Sequence, residues 1–272
     1  MGRVLEGFMR EMKHRADEPV QYEVVTDDGA VSLNDWLGRR VEITFTGEKA
    51  CIHCGRKVKK LYQNGYCFPC VTTLAECDLC IVKPHKCHFH LGTCRDADFA
   101  ASHCMIPHYV YLAFSSDIKV GLTRKGRQFT RWVDQGASAA VLVAECPTRK
   151  AAGEVEMEIA SFLPDKTQWR KMLALTSIET EALERLEATR QQVLRHLREH
   201  VSGIQVLDEQ PVHAFQYPRL EGGAVKLTSL SLDKTPEISG VLQGVKGQYL
   251  LLDVGVLNVK KHSGMRVSIS VA

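Results

Sequence analysis

The sequence lacks the features of an exported or membrane-spanning protein. No apolar run approaches the roughly 18 residues that a membrane span needs. The charged N-terminal segment MGRVLEGFMREMKHR has no apolar core like that of a signal peptide, and Glu6 stands where a myristoylation signal has Ser or Thr. We therefore expect a cytoplasmic protein with no membrane partner. In that reducing compartment, the ten cysteines favour metal binding over disulfides.

Net charge is also small, at +3, and by itself it does not indicate a nucleic-acid partner. Its distribution is uneven. Residues 49–131 contain 13 Lys and Arg against 5 Asp and Glu, whereas the rest of the chain contains 22 and 27. Two zinc sites of four thiolates each would reduce the local charge of the basic segment from +8 to about +4. This segment therefore stays basic, which favours a phosphate-bearing partner.

Hydrophobic patterning predicts an α+β protein. The predicted segments are an N-terminal β segment (1–48), a cysteine-rich zinc-binding region (49–104), an α/β domain (105–203) and a C-terminal β module (204–272). The first of them begins with a short helix or a mobile start at Gly2 to His14. The third ends in a long amphipathic helix from Thr176 to His200. The two β-rich ends form either one shared sheet or barrel, or two separate modules.

Two CxxC pairs, separated by 12 residues, predict a zinc ribbon. The run CIHCGRKVKKLYQNGYCFPC supplies them, and the cysteines are Cys51, Cys54, Cys67 and Cys70. Each CxxC turn presents two thiolates, and four thiolates complete the tetrahedron that zinc prefers. Because protein fills all four positions, the metal would be structural. A redox pair or free thiols are the alternatives.

A second cluster follows in the run CDLCIVKPHKCHFHLGTCRDADFAASHC. It contains the potential ligands Cys77, Cys80, Cys87, Cys94, Cys104, His85, His88, His90 and His103. One zinc ion needs fewer ligands, so the run predicts a second zinc centre with residues to spare. The predicted ligands are Cys77, Cys80, Cys94 and either Cys87 or Cys104. An iron–sulfur cluster on four of the five cysteines is one alternative, and buried thiols with surface histidines are the other.

The run YVYLAFSSDIKVGLTR predicts a β-hairpin. Alternating residues give a half-buried strand, Ser-Ser-Asp gives the turn, and IKVGLT gives the second strand. Gly121 in that strand permits a close approach to the backbone. AAVLVAEC predicts a third, buried strand, after which Thr148 caps a helix that begins near Arg149.

This hairpin resembles the GIY-YIG nuclease superfamily. Tyr109-Val110-Tyr111 stands where the first tripeptide motif of that superfamily stands, and Lys119-Val120-Gly121 stands where the second does. Lysine at the first position of the second tripeptide replaces the tyrosine of many members. The resemblance implies a three-stranded sheet with helices and the hydrolysis of phosphodiesters with one Mg²⁺ or Mn²⁺ ion.

Two further residues match the pattern of this superfamily. Arg131 lies ten residues after Gly121, is followed by Trp132, and matches the arginine that opens the next helix. A glutamate is expected after the third strand, and we choose Glu156, with Glu154 as the alternative. By resemblance, Glu156 would hold the divalent cation and Arg131 would bind the scissile phosphate.

The resemblance also implies roles for residues of the hairpin. Tyr111 would position or deprotonate the attacking water, and Lys119 would orient a phosphate. The candidates for other contacts with nucleic acid are Tyr109, Gly121, Thr123, Arg124, Arg127 and Trp132.

Two of the three tryptophans lie next to an arginine, as Arg131-Trp132 and Trp169-Arg170. They either frame one groove in which aromatic rings stack on bases, or anchor the core while arginine stems lie over them. We favour the core role.

The whole chain also resembles an uncharacterised bacterial family of domain-of-unknown-function proteins. The segments that carry this resemblance are CIHCGRK, GYCFPC, CHFHLGTCR, VYLAFSSDIKVGLTR, RWVDQGA, DKTQWRKML and DKTPEISG with GVKGQYLLLD. That family implies no activity. We therefore expect a zinc-binding protein that binds DNA or RNA, with endonuclease activity as the catalytic hypothesis. The alternative is a non-catalytic module that binds nucleic acid or organises protein contacts.

Overall fold

The computed structural model describes residues 2–163 and 168–272. Its strands are β1 (Gly2–Phe8), β2 (Lys13–Arg15), β3 (Gln21–Val25), β4 (Ala30–Ser32), β5 (Arg40–Lys49), β6 (His108–Phe114), β7 (Ile118–Arg124), β8 (Ala139–Cys146), β9 (Gln205–Val206), β10 (His213–Ala214), β11 (Ser229–Leu230), β12 (Glu237–Lys246), β13 (Tyr249–Leu252), β14 (Gly255–Asn258) and β15 (Met265–Val271). Its helices are α1 (Phe68–Thr73), α2 (Leu79–Val82), α3 (Ala97–His103), α4 (Gln128–Asp134), α5 (Arg149–Ala160), α6 (Trp169–Ala174) and α7 (Thr180–His200). The DKT of the DKTQWRKML segment lies outside the described residues.

The chain is a mixed α+β protein that divides into two compact units. The first consists of residues 1–72 and 216–272, and the second of residues 73–215. The two cysteine clusters, which the sequence groups together in 49–104, therefore belong to different units. None of the helices in the described ranges is long and apolar enough to cross a membrane.

One seven-stranded sheet joins the two ends of the chain in the first unit. Its strand order is β1-β15-β5-β12-β13-β14-β11. The central β5 pairs antiparallel with both β12 and β15, so that Ile43 lies between Ile238 and Ile269. All three side chains are buried, which follows from the alternation of apolar and polar residues in these strands. A separate sheet of β2, β3 and β4 completes the β structure of this unit within the described residues.

The prediction of a short helix or mobile start at Gly2 to His14 is wrong. Residues Gly2–Phe8 form strand β1, which pairs antiparallel with β15, with a register shift between Arg3 and Leu5. A seven-residue edge strand is specified by its partner strand as much as by its own sequence. That partner lies some 260 residues later in the chain, beyond the reach of local pattern analysis.

The second unit is built on the predicted hairpin. Strands β6 and β7 pair antiparallel, β8 lies on the other side of β6, and β9 and β10 both pair with β8. Helices α5 and α7 contribute to the core that covers one face of this sheet. Its members include Val110, Leu112, Ile159, Leu194 and Leu197. The three predicted strands and the amphipathic helix are thus confirmed, with the helix beginning at Thr180.

Candidate functional site

The four cysteines of the two CxxC pairs converge in the first unit. The sulfur atoms of Cys51, Cys54, Cys67 and Cys70 all lie within 4.8 Å of one another. The sulfurs of Cys54 and Cys67 are 3.7 Å apart. Four thiolates that bind zinc tetrahedrally at about 2.3 Å have sulfur–sulfur distances of about 3.8 Å. The cluster therefore fits a tetrahedral zinc ion and is a possible zinc site.

Backbone geometry prepares the first pair for a metal. Gly55 has a φ of +71°, a conformation that favours glycine, and its N–H donates to the carbonyl of Cys51 at 2.9 Å. Burial alone raises the pKa of the Cys51 thiol. Backbone N–H groups of Cys54, Cys67 and His53 outweigh burial and lower this pKa to about 6. The thiolate of Cys51, which is the metal-binding form, is thereby favoured, whereas burial and the neighbouring sulfurs raise the pKa of Cys70.

A tight turn positions the second pair. The backbones of Tyr62 and Tyr66 pair across it, while Gln63, Asn64 and Gly65 adopt positive φ angles between them. Asn and Gly tolerate such angles better than most residues do. The chain then enters α1, which places Cys67 before the helix and Cys70 in its first turn.

The second cysteine cluster is arranged around a small cavity in the second unit. The metal-ligating residues that line it are Asp78, Cys80, Cys87, His88, Cys94 and Cys104. Of these, Asp78, Cys80 and His88 have ligand atoms within 4.8 Å of one another. Cys77 is buried in the turn Ala75–Cys77 and is not among the described residues that line the cavity. The cavity thus gathers both Cys87 and Cys104, whereas the sequence predicted Cys77 with one of them.

The first tripeptide and the second meet at a close contact between Tyr111 and Gly121. The two residues are directly opposite in the β6–β7 ladder. A Cβ atom built on Gly121 would lie only 2.5 Å from the hydroxyl oxygen of Tyr111. Gly121 therefore permits the tyrosine ring to lie over the neighbouring strand, which is the close approach that a glycine within a strand indicates.

The Tyr111 phenol is fully enclosed by protein. Its residue has no exposed surface, and its hydroxyl oxygen accepts a hydrogen bond from Nε2 of Gln135 at 2.9 Å. The ring packs edge-to-face on Trp132, with centroids 5.8 Å apart. Burial raises the pKa of Tyr111, and this effect outweighs the opposing effect of the Arg131 guanidinium. The phenol therefore stays protonated at neutral pH.

Arg131 and Glu156 lie near this phenol, although they belong to different helices. The groups that raise the pKa of Arg131 are Tyr111 first, then Asp134 and Glu156, while burial opposes them. Arg131 still keeps solvent-exposed surface, and Glu156 is half-buried. The alternative glutamate, Glu154, is exposed and forms an ion pair with Lys150 at 3.8 Å. The fold thus brings Tyr111, Arg131 and Glu156 into one neighbourhood.

The remaining predicted residues of the hairpin differ in exposure. Lys119 lies opposite Ala113 and is half-buried, so by strand alternation it shares a face with Gly121. Thr123 is buried, and Arg127 is exposed. Two others, Arg124 and Tyr109, are half-buried. Lys125 lies 5.8 Å from the Tyr109 ring centroid and forms an ion pair with Glu145.

Of the two tryptophans that lie next to an arginine, one is fully buried in the core and the other is half-buried. Trp132 has no exposed surface and packs on Tyr111 and Phe129. Its ring is therefore not available to stack on a base, which corrects its prediction as a nucleic-acid contact. Trp169 is half-buried, and the Arg170 guanidinium lies 4.3 Å from its ring centroid, a distance typical of a cation–π contact.

Two residues of this region were missed by sequence analysis. Gln135 donates a hydrogen bond to the hydroxyl oxygen of Tyr111. Arg149, the first residue of α5, donates from Nη2 to the carbonyl of Ile81 at 2.6 Å. Burial lowers the pKa of Arg149, whereas the negative charges of a Cys104 thiolate and of the Glu156 carboxylate oppose this lowering. Arg149 thus lies between the cysteine cavity and the Glu156 neighbourhood. In the sequence, one arginine after a capping threonine gives no signal of this position.

Residues 38–267 match the family described as "Protein of unknown function (DUF2797)". The match covers most of the chain, and this protein belongs to that family. Neither a search of curated proteins nor a search of solved structures gave a significant match. The family description names no activity, and the resemblance to GIY-YIG nucleases stays a prediction.

Proposed function

We propose that this zinc-binding protein acts on nucleic acid in the cytoplasm, and that its second unit hydrolyses the phosphodiester backbone with one divalent cation. Hydrolysis adds one water molecule across a P–O ester bond and leaves a phosphomonoester and an alcohol. The proposal rests on one observation above all. The ring of Tyr111 on β6 packs on Trp132, the residue after Arg131 on α4, and both Tyr111 and Arg131 lie close enough to Glu156 on α5 for its charge to act on them.

The order of elements around these residues supports the proposal. The chain runs through β6, β7, α4, β8 and α5, and the strands lie in the order β8-β6-β7. The resemblance to GIY-YIG nucleases implied such a three-stranded sheet with helices. It also implied an arginine on the helix after the hairpin and a glutamate on the helix after the third strand. Arg131 on α4 and Glu156 on α5 occupy those places.

Arg131 and Glu156 have complementary roles in this proposal. The guanidinium of Arg131 presents a planar fork of donors that suits a phosphate group. The carboxylate of Glu156 is a hard oxygen ligand of the kind that Mg²⁺ and Mn²⁺ prefer. When bound, a divalent cation stabilises negative charge on the phosphate and on the leaving oxygen.

Tyr111 is assigned a positioning role in place of the water activation that the resemblance allowed. A fully buried phenol with a raised pKa does not reach a water molecule in the solvent or accept its proton. The phenol lies beside the Arg131 guanidinium instead, and Gln135 fixes its hydroxyl. Loss of this contact would let the Arg131 side chain move away from the phosphate.

Binding without cleavage is the second candidate function. It is favoured by Lys119, which stands where many GIY-YIG nucleases have a tyrosine, and by the burial of Tyr111. In that case Arg131 and the exposed Arg127 would contact phosphates, and the protein would recognise nucleic acid without cutting it.

A binding measurement tests the part that both candidates share. Fluorescence anisotropy of labelled single-stranded DNA, duplex DNA and an RNA hairpin would be followed as the salt concentration rises. We expect affinity to fall with salt, because phosphate contacts release counterions. Arg131→Gln should bind more weakly, with a salt slope smaller by about one.

Arg198→Gln is the matched control for this measurement. Arg198 is an exposed arginine of α7 in an ion pair with Asp208, and its loss removes the same charge elsewhere in the same unit. It should leave the slope unchanged. Binding that does not respond to salt, or equal effects of the two substitutions, would contradict the proposed phosphate contact.

A further inference from the structure

A small cavity in the second unit is lined by four cysteines, Cys80, Cys87, Cys94 and Cys104. We propose that this cavity is a second metal centre, in which the four thiolates bind one zinc ion. The centre is separate from the zinc ribbon, whose cysteines belong to the first unit. It also does not depend on the proposed activity, because its ligands differ from the residues proposed to act on phosphate.

Four short elements bring the cysteines to the cavity. Cys80 lies in α2, which begins where the Asp78 carboxylate accepts the N–H of Cys80 at 3.2 Å. Cys87 follows the 3-10 turn Pro84–Lys86, and Cys104 is the C-cap residue that follows α3. Cys94 follows a turn at Gly92, whose φ is +68°. Helices of four to seven residues are not stable alone. A metal ion that cross-links them would take the place of a hydrophobic core.

The size of the cavity favours a single ion. About 20 Å³ is accessible between the lining residues, which is close to the space that one water molecule needs. A zinc ion fits this space. An iron–sulfur cluster, with several irons and bridging sulfides, needs more room, so the cavity argues against the iron–sulfur alternative.

Asp78 and His88 also line the cavity, but their ligand atoms have charged or strongly polar partners, whereas the sulfur of Cys94 makes only a weak hydrogen bond to the carbonyl of Asp96 at 3.3 Å. The Asp78 carboxylate forms an ion pair with Nε of Arg95 at 2.7 Å, in addition to capping α2. Nε2 of His88 is 3.5 Å from that carboxylate, and its Nδ1 is 2.7 Å from the hydroxyl of Thr93. We therefore assign these residues to the support of the loop. The softer thiolates are the ligands that a closed zinc site selects.

The charges around the cavity suit a site of thiolates. The guanidinium of Arg149 reaches the residue next to Cys80, because its Nη2 donates to the carbonyl of Ile81 at 2.6 Å. Zinc with four thiolates carries a net charge of about −2. Such a centre would provide a counter-charge for Arg149, whose Nε is buried without a hydrogen-bond partner among the described residues.

The proposed centre also supports the helix that carries Glu156. The 3-10 turn before Cys87 packs directly on α5, and a Cβ atom built on Gly153 would lie 2.6 Å from Cβ of Pro84. Arg149 is the first residue of the same helix, and its side chain donates a hydrogen bond to the carbonyl of Ile81, the residue after Cys80. Metal at the cavity would therefore fix the position of α5.

Metal content tests this inference. The purified full chain should contain two zinc equivalents by elemental analysis, one for each centre. Cys87→Ser and Cys94→Ser should each reduce the content to about one equivalent. Three control substitutions should leave two equivalents. They are Cys146→Ser, a buried strand cysteine of the same unit, together with His88→Gln and Cys77→Ser.

A second measurement covers the case in which a ligand variant does not fold. The unaltered protein would be alkylated at its cysteines in the native state, with and without a metal chelator, and the modified positions identified by mass spectrometry. Cys80, Cys87, Cys94 and Cys104 should be protected together and lose protection together when metal is removed. One zinc equivalent in the unaltered protein would overturn the proposal. So would loss of metal in His88→Gln with retention in Cys94→Ser, or iron in an anaerobic preparation.

Discussion

The ring of Tyr111 lies over Gly121 of the neighbouring strand, so close that a Cβ atom on the glycine would stand 2.6 Å from the carbon that bears the tyrosine hydroxyl. This contact links the two tripeptides of the hairpin. It carries the phenol across the sheet, next to the guanidinium of Arg131. The position of the Tyr111 ring thus requires glycine at position 121, and the same ring lies next to the Arg131 side chain.

Gly121→Ala should therefore destabilise the second unit. The added methyl group would overlap the Tyr111 ring, and an overpacked core costs about 1–3 kcal/mol of unfolding free energy. Urea denaturation followed by tryptophan fluorescence measures this, because Trp132 packs on the same ring. In the background Tyr111→Leu, the same substitution should cost less, since the smaller side chain leaves space for the methyl group. Equal costs in both backgrounds would show that the close contact does not govern this position.

Loss of a ribbon cysteine should remove one zinc ion and destabilise the first unit. In Cys51→Ser or Cys67→Ser, three thiolates remain of the four that converge, and zinc binding is coupled to folding. Elemental analysis should find one equivalent less than in the unaltered protein, and thermal unfolding should begin at a lower temperature. Cys146→Ser, with a buried cysteine of β8, is the control and should keep its metal. Unchanged metal content in the ribbon variants would refute the ribbon.

Gly153→Ala should disturb the contact between the cysteine module and α5. Alanine usually stabilises a helix by up to about 1 kcal/mol relative to glycine. Here its methyl group would approach the backbone nitrogen of His85 within 2.7 Å, so we expect a net loss of about 1–2 kcal/mol. Glu154→Ala, at the exposed neighbouring position, changes helix propensity only slightly and adds no overlap, so it is the control and should leave the stability nearly unchanged. A stabilised Gly153→Ala protein would contradict the packing.

Stability should fall on acidification because of His108. Burial lowers its pKa to about 4, below the usual value of about 6.5. Between these values the unfolded chain binds a proton that the folded chain does not. The free energy of unfolding therefore falls as pH decreases from about 6.5 to about 4, by up to about 3 kcal/mol. Above pH 6.5 the histidine is neutral in both states and this effect is absent.

His108→Asn provides the comparison for this pH dependence. Asparagine does not titrate in this range, and it retains a donor for the carbonyl of Ile106, which His108 contacts at 2.8 Å. Denaturation curves measured from pH 7.5 downward should fall less steeply for the variant. Protonation of the cysteine centres affects both proteins, so the difference between the curves isolates His108. Parallel curves would show that His108 does not titrate as described.

Local signals in the sequence predicted the three strands β6, β7 and β8, the helix cap and the four cysteines that converge as a possible zinc site. Thr148 caps α5 through a hydrogen bond from the N–H of Ala151, as a threonine before an apolar periodic segment indicates. The four ribbon cysteines could also be predicted locally, because the spacing of two CxxC pairs is enough to indicate the four ligands. These predictions needed no knowledge of distant contacts.

The features that the sequence did not predict depend on contacts between residues that are far apart in the chain. Strand β1 forms because β15 offers it a partner. The choice among the five cysteines of the second cluster depends on how α2 and α3 fold around the cavity, which spacing does not determine. The burial of Tyr111 and the position of Arg149 likewise follow from packing. The sequence therefore predicted which residues lie near Glu156, but it did not predict the burial of Tyr111.

Cleavage of nucleic acid tests the central claim most directly. The purified protein would be incubated with single-stranded, duplex and branched DNA and with structured RNA, with and without Mg²⁺ or Mn²⁺. Glu156→Gln and Glu154→Gln, shown to be folded, would be measured in parallel, because the two glutamates lie on the same helix. The account predicts metal-dependent cutting that is lost in Glu156→Gln and retained in Glu154→Gln. Equal activity of the two variants, or no cutting of any substrate by the unaltered protein, would contradict it.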